Sequence, residues 1–123
     1  MEVQNGDVYQ AQKPLQELLA EVWPVKTAYG LAKLARKINE QYAIIESVRI
    51  KLFQQYGDDK GNGTYQIDAE HANWAQFRDA HNELMGEKCE LENVWVVKLP
   101  SDNGAKASAK TLMDLDRFVE VEM

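Results

Sequence analysis

The chain has 123 residues, 45% of them hydrophobic and 28% charged, and a formal net charge of −6. A chain of this length fits one domain, residues 1–123, burying about 70% of the surface its unfolded form exposes, or slightly less. One cysteine, Cys89, excludes an internal disulfide and suits a reducing compartment; the polar start from Met1 to Gly6 lacks the parts of an export signal, and no window approaches the run of about 18 apolar residues that spans a membrane.

Charge is divided unevenly. Residues 1–56 carry seven Lys/Arg against six Asp/Glu, whereas residues 57–123 carry seven against fourteen, a balance of −7. An acidic half disfavours nucleic acid, whose phosphates need clustered Lys and Arg. It either attracts basic partners or serves solubility alone.

In chain order, Glu2–Gln4 predicts a short edge strand, with Asn5-Gly6-Asp7 as turn residues at its end. A helix follows, with Ala11, Leu15, Leu18, Leu19 and Val22 on one face. Pro14 is tolerated only in a first turn, so regular helix is expected from near Lys13, with extension backwards left open. Trp23-Pro24 forces a corner, and Thr27 stands ready to cap the next helix.

From Thr27 to Tyr56, Leu31, Ala35, Ile38, Tyr42, Ile45, Leu52 and Tyr56 recur at helical steps. The pattern predicts one helix of about 30 residues, roughly 45 Å long. Only Arg49 stands where an apolar side chain is due. A buried, unpaired guanidinium is too costly, so Arg49 is expected to meet a carboxylate or to lie at an interface rim.

Gly57 reads as a left-handed terminator, and Gly57–Gly63 as a loop that lacks both the lysine-serine/threonine pair that follows a phosphate-binding loop and the closing glutamate of a calcium loop. Asp68 is placed to cap a third helix, Ala69 to Lys88, whose stripe of Trp74, Phe77, His81 and Leu84 faces Tyr42, Ile45 and Leu52 of the long helix. Leu91, Trp95, Val97 and Leu99 then alternate with Glu92, Val94, Val96 and Lys98, which predicts a strand ending at Pro100 with apolar residues even on its second face. Ser101–Gly104 reads as a turn and Ala105–Ala109 as irregular. A short fourth helix follows, capped by Ser108 or Thr111 and anchored by Leu112 and Leu115, before a closing strand from Phe118 to Glu122. The expected fold class is therefore α+β: a long antiparallel helical hairpin plus a third helix, packed with a small C-terminal β-sheet that Glu2–Gln4 is free to join.

Residue types that carry chemistry are sparse. His81, Met85 and Cys89 share a helical spacing, but zinc asks for three or four Cys/His ligands and His71 lies ten residues before His81. Glu87, Glu90 and Glu92 surround Cys89 and disfavour its thiolate. Glu83 and Glu87 lack the Glu-x-x-His partners of a carboxylate-bridged site. Lys26, Lys33, Arg36 and Lys37 are too few for a nucleic-acid face. No catalytic residue, cofactor or metal is expected. The interface candidates are Trp23 at the corner, Arg49, and Val94, Trp95 and Val96 on the two-faced strand.

The runs Asn5-Gly6-Asp7-Val8-Tyr9, Trp23 to Ala32, Tyr56-Gly57, Phe77 to Met85 and Leu112 to Phe118 occur in an order that resembles a family of small proteins of tailed bacteriophages. Its members combine an N-terminal Asn-Gly, a hydrophobic-Pro-Val/Ala-Lys helix start, a long charged helix ending in Tyr-Gly and a Leu-rich C-terminal end. The resemblance implies a non-enzymatic protein of the host cytoplasm or virion that works through protein partners. A virion-associated or assembly component of capsid, connector or tail is the first expectation, with a rigid helix suited to a homo-oligomer. The alternative is an acidic host-directed inhibitor that occupies a basic surface of a host or defence enzyme.

Overall fold

The computed structural model describes residues 1–100 and 109–122. The fold is α+β. Strand β1 (Glu2–Gln4) leads without a turn into helix α1 (Asn5–Leu19), which is followed by helix α2 (Val25–Tyr56). Asn5-Gly6-Asp7 therefore open a helix instead of closing a strand. The Gln4 N–H donates to Asp7 Oδ2 at 3.0 Å, which ties down the entry to α1. Pro14 lies well inside α1, whose regular structure begins eight residues before the Lys13 start that proline tolerance suggests. Val8, Ala11, Leu15 and Leu18 are buried along one face, and their burial offsets the roughly 3 kcal/mol cost of an interior proline.

The corner between α1 and α2 is held by Trp23, whose indole N–H donates at 2.7 Å to the Leu18 carbonyl, which also accepts from the Glu21 N–H at 3.1 Å. Pro24, not Thr27, precedes the first residue of α2; Thr27 is buried within the first turn. The two helices run antiparallel. Gln41 Nε2 donates to Asn5 Oδ1 at 3.0 Å, and Tyr9 stacks on Tyr42 with ring centroids 5.1 Å apart. Asn5 also donates from Nδ2 to the Leu84 carbonyl at 3.0 Å, so one buried amide joins the start of α1, the middle of α2 and the end of the third helix. Because α1 is 15 residues long and α2 is 32, the C-terminal part of α2 runs past its partner.

The stretch expected as a loop is a β-hairpin, β2 (Asp58–Gly61) paired antiparallel with β3 (Thr64–Gln66). Gly61 pairs with Thr64, leaving Asn62-Gly63 as a two-residue turn with φ of 55° and 74°. Such a turn matches the right-handed twist of the strands it joins. Gly57 is not left-handed: its φ is −89°. A Cβ there would lie 2.7 Å from the Phe53 carbonyl oxygen and 2.8 Å from that of Gln66, so close approach is what requires glycine.

Helix α3 (Trp74–Gly86) starts five residues later and stops two residues earlier than the 69–88 span. Asp68 caps no helix; its carboxylate accepts from the Glu70 N–H in a tight turn. Strand β4 (Lys88–Glu90) pairs antiparallel with β1, and β5 (Val97–Leu99) pairs parallel with β6 (Val119–Val121). Among the described residues the strands thus form three separate two-stranded sheets instead of one. The single strand expected over Leu91–Leu99 is broken near Asn93, whose φ is 59°, so burial alternates only from Val97 onward. The short helix α4 (Ala109–Asp114) is present, and Thr111 lies within it, its hydroxyl donating to Glu17 Oε2 at 3.1 Å. The turn 101–104, most of the 105–109 stretch and Ser108 fall outside the described residues.

One core joins these parts. Leu15 and Leu18 of α1, Leu31, Leu34 and Ile38 of α2, and Leu99, Leu115, Phe118 and Val119 at the C-terminal end are all buried in it. It lies beside the N-terminal half of α2.

Candidate functional site

A groove of about 390 Å³ runs between the first turns of α2 and the segment Asn93–Lys98 with Pro100. Helical spacing sets Lys26, Gly30 and Lys33 along one side of α2, and Gly30 leaves space there: a Cβ built on it would touch the Val97 methyls at 3.5 Å. Leu34, Val94 and Val97 provide apolar walls, with Lys98 and Glu122 at the rim.

The most exposed large apolar side chain of the groove is Trp95, 69% accessible, and Tyr29 on the adjoining turn of α2 is 66% accessible. The Lys33 ammonium lies 5.5 Å from the Trp95 ring centre and 5.4 Å from that of Tyr29, within reach of both π faces. Val22 and Val25 are exposed at the preceding corner. The result is an aromatic and aliphatic surface with a cation set into it.

The structure sorts the sequence-derived interface residues. Trp95 and Val96 are exposed, Val96 at 43%. Val94 is 7% accessible and serves as groove wall and core; the break at Asn93 turned it inward. Trp23 is also 7% accessible, with its one polar atom bonded, so it is a corner pin and not a contact residue. Tyr29 was missed. It falls between the core positions Thr27 and Leu31, and only its exposure beside Trp95 marks it.

Arg49 belongs elsewhere, sixteen residues or about 24 Å along α2 from Lys33. It pairs with Glu46 Oε1 at 3.0 Å and lies over Phe53 and Tyr9, 5.0 and 5.7 Å from their ring centres. Glu46 Oε2 is buried with no hydrogen-bond partner among the described residues. Burial, then the nearby Arg49 charge, holds His81 below the ordinary histidine value, opposed by Glu46. Burial raises Tyr9 in the same cluster.

The other titratable residues are scattered. Cys89 lies on β4, beyond the end of α3, so it shares no helix face with His81 and Met85. Burial, with Asp7 and Glu90 adding to it, pushes its thiol up. His71 Nε2 meets Asp58 Oδ1 at 2.9 Å, and this hydrogen bond is the main cause that lowers the Asp58 carboxyl. Among the described residues no group of three or more His, Cys, Asp or Glu is placed to hold a metal ion, and no helix is long and apolar enough to cross a membrane. No family model, curated protein or solved structure matches the chain.

Proposed function

We infer that the protein is a non-enzymatic bacteriophage protein that acts through protein–protein contact, first of all as a virion-associated or assembly component. The observation that carries the contact reading is Trp95, held open to water beside Tyr29, Val96 and Lys33. A large exposed aromatic is the kind of side chain whose burial by a partner contributes most to binding. The succession of short motifs from Asn5 to Phe118 supports the phage setting, in the virion or the host cytoplasm. The exposed carboxylates of residues 57–123 support the second reading, a host-directed inhibitor.

Mass spectrometry of purified virions tests this. The chain is expected in particles at fixed stoichiometry, and Trp95→Ser, shown folded by circular dichroism, is expected to be lost from them. Wild-type incorporation of Trp95→Ser overturns the contact reading. Absence of the wild-type chain from particles, with recovery on a host enzyme, selects the inhibitor.

A further inference from the structure

The groove also borders an unpaired strand edge. The Val97 N–H donates to the Phe118 carbonyl at 2.9 Å, and the Glu122 N–H donates to the Leu99 carbonyl at 2.8 Å. Val97 and Leu99 therefore turn their backbone groups to β6, and in a parallel ladder the residue between them faces the other way. The N–H and C=O of Lys98 point to the opposite edge of β5, with which no strand pairs among the described residues. Lys26, Lys33 and Lys98 surround the groove against the one carboxylate of Glu122, and among the described residues none of the three is in an ion pair.

We propose that the groove receives an extended acidic segment of a partner protein, added as a strand to the free edge of β5, with its carboxylates against Lys26, Lys33 and Lys98 and an apolar side chain on Trp95. This rests on the reading of the groove as a protein contact and names its partner chemistry. Backbone pairing sets register, and the two-residue period of a strand lets acidic and apolar side chains alternate between the lysines and the groove wall. The whole chain is negative, so the attraction is local and weakens with added salt. A nucleic acid fits less well: it offers no N–H and C=O row to the edge, and three lysines on an acidic protein neutralise few phosphates.

The test is fluorescence anisotropy of the full chain with a labelled peptide, Asp-Val-Glu-Val-Asp-Val. Binding is expected, and it should weaken about tenfold in the double variant Lys33→Glu, Lys98→Glu, since two exposed charge reversals act on it. N-methylation of alternate peptide nitrogens should abolish binding. The proposal is overturned if the acidic peptide fails to bind, if a Lys-Val peptide or an oligothymidylate binds as well or better, or if N-methylation has no effect. Should the peptide fail while Trp95→Ser still drops out of virions, the acidic strand falls and the contact reading stands. A bound peptide with Trp95→Ser retained in virions overturns the contact reading for virion incorporation and leaves the strand-binding groove.

Discussion

The two halves of α2 have the same helical backbone and opposite surroundings. From Thr27 to Ile45 the helix buries six side chains against α1 and the C-terminal strands, whereas no residue from Glu46 to Tyr56 is fully buried. Apart from Arg49 over Tyr9, the second half has outrun α1 and meets α3. There the contacts are one ring pair and one ion pair: half-buried Phe53 against buried Phe77 at 4.8 Å, and Arg49 on Glu46. Stability should therefore be concentrated in the first half, with the second half held by partly exposed contacts.

The largest expected effect tests that division directly. Ile38→Ala, at a fully buried position, should cost about 2–5 kcal/mol in urea unfolding, and Leu52→Ala, half-buried in the second half, about 1–2 kcal/mol. Equal costs would break the comparison. Gly57→Ala, which forces a methyl between two carbonyl oxygens at the end of the open half, should cost about 1–3 kcal/mol and shift the amide signals of β2 and β3 in NMR.

Trp23→Phe keeps an aromatic ring but loses the indole N–H bond to Leu18, so it should cost about 1–2 kcal/mol in the packed half. The pair in the open half is worth less. Arg49→Leu should cost about 1 kcal/mol, because it leaves the Glu46 carboxylate without its cation, and Glu46→Gln in the same chain should recover part of that loss. A double-mutant cycle with no coupling would remove Arg49 as the partner that makes Glu46 tolerable.

The smallest effect is on pH dependence. His81 is depressed below 6.5 in the fold, so the unfolded chain binds its proton first. Its contribution is fully present above the unfolded value and is lost as pH falls from there through the folded value. Urea midpoints measured downward from neutral pH should fall less steeply in His81→Phe than in the wild type. Identical slopes would show that the burial of His81 does not reach the stability of the open half.

Periodicity alone located both long helices, the C-terminal end of α2 at Tyr56 and the odd place of Arg49, because amphipathic spacing is a local property that survives any choice of partner. Hairpin β2–β3 was equally local: Asn62-Gly63 is the turn signal, hidden by reading three glycines as flexibility. The extension of α1 through Pro14 and the glycine at position 57 depended on what each position meets in space, which no window along the chain contains. The groove divides the same way. Trp95 and Val96 were legible from a strand with two apolar faces, while the inward turn of Val94 followed from one left-handed residue, Asn93. The bonding of Trp23 and the approach of Lys33 to Tyr29 and Trp95 were decided only when distant segments packed, since exposure and charge environment are properties of the assembled surface and not of the chain.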